Sequence, residues 1–182
     1  VGNGSEVRCN RMFQNSSIPV VKLKNILLHG DQVFLSCSNL KKIETQNSFV
    51  ATRGYVFDSA SSLTKLPLLY HPNTSRAIAY FLRSCTELKD TCLDFSGDNA
   101  ITSLQIGGSS NARIDGLKAL TVSNEAPFDN ATAPQIDASY TGLDRTALVN
   151  LFKSMPYNVG YTVAGSPTIV DGVVSGFSSS DY

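Results

Sequence analysis

The chain has 182 residues, 42% of them apolar and 16% charged, and its 15 Lys and Arg balance its 15 Asp and Glu. That supplies one buried core but no excess of cations to offset phosphates, so no nucleic-acid partner is expected. No apolar run approaches the roughly 18 residues of a membrane span, so no membrane insertion is expected.

The first residue is not Met, no signal peptide is recognisable, and the sequence stops at Ser180-Asp181-Tyr182 just after a strand-like passage. A processed product or an excerpt of a longer chain is therefore expected. Residues 1–11, polar and with Gly2 and Gly4, read as a lead-in segment. A faint first copy of a repeat follows in Met12-Phe13-Gln14-Asn15-Ser16 and Ile18, and Val20 to Lys24 alternates as a strand. The repeat is clear in Val33-Phe34, Cys37, Leu40 and Ile43, again in Val56-Phe57, Ala60, Leu63 and Leu66, and again in Phe81-Leu82, Cys85 and Leu88. Self-similarity at this period signals a solenoid, in which each unit covers the next. The apolar pair points inward from a short helix or turn. The small residue at 37, 60 and 85 sits where coils approach closely, and the following Leu and Ile fill the layer between them. Pro67, Pro72 and Asn73 turn the connection before a short apolar helix over 77–82.

Beyond Cys85 the pattern changes to short strands, Leu93-Asp94-Phe95, Leu104-Gln105-Ile106, Leu120-Thr121-Val122 and Ile136-Asp137-Ala138, expected to stack one per coil. Asp144 is an N-cap, and Leu148, Leu151, Phe152 and Met155 form a helical stripe ended by Pro156. A helix over 144–155 is expected to cover the open end of the solenoid. Residues 157–182 read as a strand-rich tail, with strands at Tyr161 to Val163, Thr168 to Val170 and Val173-Val174. The fold class is thus α/β: a solenoid of short parallel strands with short helices or turns and a C-terminal capping helix, spanning 12–156.

The unit carrying Phe34, Cys37, Leu40 and Ile43 resembles the BspA-like branch of leucine-rich repeats, and Ala60, Leu63, Leu66, Cys85 and Leu88 match the same slots. Leu120-Thr121-Val122-Ser123-Asn124 is similar to the general leucine-rich-repeat strand. The passage from Ile136 through the helix resembles the end of such arrays in large phage and bacterial surface proteins. The resemblance implies a leucine-rich-repeat-like solenoid, a role on a virion or cell surface, and a β-sandwich following the tail. Partners would be other virion or surface proteins, or a host surface protein or glycan.

Candidate chemistry is sparse. Cys37 and Cys85 occupy the small slot two repeats apart, where a mutual disulfide would have to skip a layer; Cys9 and Cys92 have no assigned role. His29 and His71 lie in loop-like, polar surroundings and read as solvated, with no fixed histidine–carboxylate spacing. Gly107-Gly108-Ser109-Ser110 lacks the lysine of a phosphate loop, and Asp129, Asp137, Asp144 and Asp171 lack calcium-loop spacing. No metal or cofactor is expected. Sequons at Asn3, Asn15, Asn73 and Asn130 are what a Ser/Thr/Asn-rich chain supplies by chance. Lys22, Lys24, Lys41, Lys42, Lys65 and Lys89 recur near strand positions, either as a mildly basic binding stripe or as ordinary solubilising lysines. Two functional classes follow: a non-catalytic structural or attachment module displayed on a virion or cell surface, and a carbohydrate-processing enzyme on a parallel β-helix. The second needs paired carboxylates, and its strand acids Asp94 and Asp137 are far apart in sequence.

Overall fold

The computed structural model describes residues 5–127 and 136–156 and the backbone of three later strands. Fourteen strands and one helix follow in order: β1 (Ser5–Arg8), β2 (Val20–Lys24), β3 (Ile26–His29), β4 (Lys42–Gln46), β5 (Phe49–Ala51), β6 (Leu69–Tyr70), β7 (Arg76–Ile78), β8 (Thr91–Phe95), β9 (Ile101–Gln105), β10 (Leu117–Val122), β11 (Ile136–Asp137), α1 (Arg145–Ser154), β12 (Tyr161–Thr162), β13 (Thr168–Val170) and β14 (Val173–Ser175). They build a parallel-strand solenoid of about five turns.

Two strands, not one, come from a complete coil. One side of the stack carries β1-β3-β5-β6 and then β7-β9-β11; the other carries β2-β4 and then β8-β10. The strands expected at 93–95 and 120–122 pair with each other, as β8 with β10, while those at 104–106 and 136–138 pair as β9 with β11. Apolar residues two apart on each strand point into the same core, which is why both sides carry the same alternation: β2 and β8 bury every second residue. Residues 5–8, expected within a lead-in, already form a strand of the first coil, paired with β3 from Ser5↔Ile26 to Arg8↔His29.

The third side of each coil is an arc of turns rather than a helix. Arg11, Gln32, Tyr55 and Tyr80 hold left-handed backbone, and so do Asn15, Ser36, Ser59 and Ser84, four residues later in each coil. A left-handed residue every fourth position interrupts any helical ladder. Among the described residues α1 is therefore the only α-helix. The short helix expected over 77–82 is instead β7 and the start of an arc, because Ala77 and Ile78 pair with β9 and Tyr80 has φ 45°. The parallel solenoid stands, and of the short helices or turns expected between its strands the arcs are turns.

The repeat itself is the core. Phe13, Phe34 and Phe57 stack face to face, with centroids 5.2 and 5.7 Å apart and planes within 2°. In the fourth coil Leu82 takes the equivalent bonding position, since Cys85 N–H reaches Leu82 O as Cys37 N–H reaches Phe34 O. Phe81 then meets Phe57 edge-on at 5.4 Å. Cys37, Ala60 and Cys85 are buried in successive coils, as are Leu40, Leu63 and Leu88. The small slot is also polar: the Cys37 thiol donates to Phe13 O at 2.7 Å and the Cys85 thiol to Phe57 O at 3.0 Å. Burial pushes both thiols up, far up for Cys85, so they are inert donors rather than nucleophiles. All four cysteines are free.

Close approach of coils explains one glycine. A Cβ on Gly116 would lie 1.7 Å from Leu88 O, so the fifth coil passes the fourth there only without a side chain. At the far end, α1 packs against β10. Asp144 caps it by accepting from Ala147 N–H at 2.8 Å, and Leu151 and Met155 are buried with Leu148 and Phe152 packed beside them. Ser154 Oγ accepts from Val122 N–H at 3.1 Å, so the helix also satisfies a donor of the strand it covers. On the other side the tail strands extend the solenoid's own sheet: β12 pairs with β11, β13 with β12 and β14 with β13. Asn3, Asp129, Asn130 and Asp171 lie outside the described residues.

Candidate functional site: the groove of the third coil

The third coil breaks the pattern. Thr64 stands against Lys41, whose O accepts its N–H, and Leu69 stands against Val50 through β6–β5 pairing. In the second coil nine positions separate Lys41 from Val50; in the third only five separate Thr64 from Leu69. The third coil is four residues too short to lay a strand between β4 and β8. Pro67, which has no N–H to give a ladder, lies within the short cut. Length is restored on the adjoining side by residues 71–75, which loop out between β6 and β7.

The missing strand leaves a groove of about 690 Å³. Residues 64–69 form one wall, with Pro67 buried, Leu66 packed on the core and Leu68 54% exposed. Lys89, Asp90, Cys92 and Asp94 form the other wall, and His71 closes one end. Among the described residues no backbone hydrogen bond joins 65–69 to β8.

A buried ion pair underlies this region. Arg76, 7% exposed, binds Asp98, 2% exposed, through both guanidinium ends. Arg76 also donates to Thr52 O at 3.0 Å, Thr52 Oγ1 at 3.0 Å and Pro72 O at 2.6 Å, so it ties the looped-out 71–75 to the residue that follows β5. Burial alone would raise the Asp98 carboxyl, but hydrogen bonds from His71 and Arg76 outweigh it and hold the group below its ordinary value. His71 Nδ1 lies 3.3 Å from Asp98 Oδ2 and its ring meets Phe95 edge-on at 5.1 Å. A second buried carboxylate, Asp58, is gripped by Arg83 at 3.0 and 2.5 Å, and that guanidinium lies 4.3 Å from the centre of the Tyr80 ring.

Neither histidine is merely solvated. His29 is the last residue of β3, with its side chain 15% exposed. It accepts from Arg53 Nε at Nε2 (2.9 Å) and sits 2.8 Å from Glu6 Oε1 through Nδ1, a chain of contacts over three coils. Residues 23 and 24 apart in sequence are neighbours across a coil, so no short-range spacing announces these pairs.

The six candidate lysines do not form one stripe. Lys22, Lys24 and Lys42 lie exposed on β2 and β4, where Glu44 sits 3.6 Å from Lys22 and 2.9 Å from Lys42 and offsets part of their charge. Lys41, Lys65 and Lys89 stand at one corner of the second, third and fourth coils, all exposed, and their ammonium groups have no partner among the described residues. Of the six, Lys65 and Lys89 line the groove. Sequence reasoning missed Leu66, Leu68, His71, Cys92 and Asp94 as a unit; the available signal was the short, proline-broken run from Leu63 to Tyr70.

The strand acids considered for catalysis are separated. Asp94 is on β8, holding Thr121 Oγ1 at 2.7 Å and Ser96 N–H at 2.9 Å, which lowers its carboxyl. Asp137 is on β11, in the other sheet, accepting from Ser139 N–H at 2.9 Å. Among the described residues no cluster of His, Cys, Asp and Glu has a metal-holding arrangement, and no helix is long and apolar enough to cross a membrane. Comparison with known protein families, curated proteins and solved structures finds no match to this chain.

Proposed function

We propose that the chain is a non-catalytic recognition module, a rigid solenoid that presents the groove of its third coil to a partner. The observation that carries this reading is the local shortening of one coil inside a regular stack, which opens a partly apolar groove flanked by unpaired lysines. A preformed concave site on a stiff frame loses little ordering entropy on binding. The polar groups nearby favour binding over chemistry. Asp98 is committed to Arg76, Asp94 to Thr121 and Ser96, and among the described residues no hydrogen bond links Cys92 to a base. Placement on a virion or cell surface, with surface proteins or host proteins and glycans as partners, rests on the resemblance of the Phe34–Cys37–Leu40 unit to BspA-like repeats.

The test measures saturable attachment of the folded chain to intact cells and to a panel of surface glycans, beside glycan turnover. Attachment without turnover, weakened in Leu68→Asp, is the expected result. Absence of attachment, or turnover abolished by Asp94→Asn, overturns the reading.

A further inference from the structure

We infer that the groove takes an extended peptide segment of a protein partner as an added strand on β8, with an acidic residue of that segment against Lys65 and Lys89. The inference rests on the recognition reading and names its ligand.

Backbone direction is the first argument. Thr91 N–H bonds to Gly116 O on the β10 side. Alternate residues of a parallel strand turn their backbone groups to opposite sides, so Cys92 and Asp94 direct theirs toward the groove. No backbone group of 65–69 meets them. On β4 the same logic holds: Lys42 N–H bonds back to Pro19 O, which turns Ile43 and Thr45 toward the third coil, again without a backbone partner there. An unpaired strand edge is a template for another strand, and folded proteins ordinarily cover or charge it. Here the edge is left inside a groove whose opposite wall carries an exposed leucine.

Side-chain demand is the second argument. A strand laid on β8 would turn every second residue inward onto Leu66 and Leu68, and the others outward beside Cys92 and Asp94. The segment must therefore alternate apolar and polar residues. Charge supplies polarity along its length. Lys65 and Lys89 stand at the end where β8 begins, and Asp94 lies toward the other end. A strand parallel to β8, as every neighbouring coil is, would carry its acidic residue at its N-terminal end. A glycan would satisfy the lysines and leucines but not the row of backbone donors and acceptors.

The probe is a synthetic peptide, acetyl-Glu-Val-Thr-Val-Thr-Val-amide, titrated into the full chain while amide signals are followed by NMR. Two control peptides carry Lys in place of Glu, or N-methyl groups on alternate amides. The expected result is saturable binding with protection of the Cys92 and Asp94 amides, weakened at least about tenfold by either change. In the chain bearing Lys65→Ala and Lys89→Ala, two exposed positions, the preference for Glu over Lys disappears. Equal binding of the N-methylated peptide, unprotected Cys92 and Asp94 amides, or no saturation by about 1 mM overturns the inference. If Leu68→Asp still weakens attachment to cells while the peptide experiment fails, the recognition reading survives and strand addition falls.

Discussion

The arcs and the strand faces of this solenoid obey different rules. Along the arcs four coils are superimposable in kind: left-handed residues at 11, 32, 55 and 80 and again at 15, 36, 59 and 84, with the small slot one position later. Along the strand faces the third coil drops a strand on one side and inserts a loop on the other. The stack tolerates this because the aromatic column and the small slot fill the core at the arc side without interruption. Close packing makes the arc intolerant of change, while a strand face open to solvent can lose a strand and keep its core. The irregular face is thus the place to look for function, and the regular arc the place to look for stability.

The sharpest way to break this comparison is to disturb the one buried ion pair that ties the irregular coil down. Arg76→Ala leaves Asp98 buried without its cation and should cost about 3–5 kcal/mol by chemical denaturation. Arg76→Ala combined with Asp98→Ala should recover part of that loss. The same pair sets an acid limit. Because the Asp98 carboxyl is held below its ordinary value, the unfolded chain takes up that proton first as pH falls. The contribution is full above about pH 4 and disappears as pH drops through the lowered value. In Asp98→Asn that part of the acid sensitivity should vanish.

Within the regular arc, Ala60→Leu should overpack the slot between Cys37 and Cys85 and cost about 1–3 kcal/mol, whereas Leu68→Ala in the groove should change stability by less than about 0.5 kcal/mol. Equal costs at the two sites would remove the distinction. At the capped end, Asp144→Ala should lose about 0.5–2 kcal/mol through the missing bond to Ala147 N–H, read as a lower midpoint of thermal unfolding. The smallest effect has the opposite sign. Ser36 has φ 58° and a side chain with no hydrogen bond among the described residues, so Ser36→Gly should relieve left-handed strain and stabilise the chain by up to about 1 kcal/mol.

Much of the frame was legible in residue types and spacing. Phe34, Cys37 and Leu40 recur because each coil must present an inward aromatic, a small residue and a layer-filling leucine. The stripe over Leu148 to Met155, flanked by Asp144 and Pro156, specifies its helix by purely local rules. What was not legible arises between coils. Ser36, Ser59 and Gln32 carry no mark of left-handed backbone, since glycine is the residue that ordinarily signals it, so the sequence does not decide between a short helix and a turn in each arc. The pairs His71–Asp98, His29–Glu6 and Arg83–Asp58 join residues about one coil apart and depend on a register that varies in length from coil to coil. The groove is a shortage of residues, visible only once Lys41 is known to stand beside Thr64 and Val50 beside Leu69. The lysines divide for the same reason: Glu44 is beside Lys22 only when β2 and β4 are in register.

The open inner edge of β8 is the central claim, and residue-resolved amide hydrogen exchange on the unliganded chain tests it most directly. Thr91 and Leu93 turn their N–H groups to β10, Cys92 and Asp94 to the groove. Slow exchange at Thr91 and Leu93 with fast exchange at Cys92 and Asp94 is the predicted result. Equal, strong protection at all four would mean that the third coil completes the sheet and that the groove does not exist.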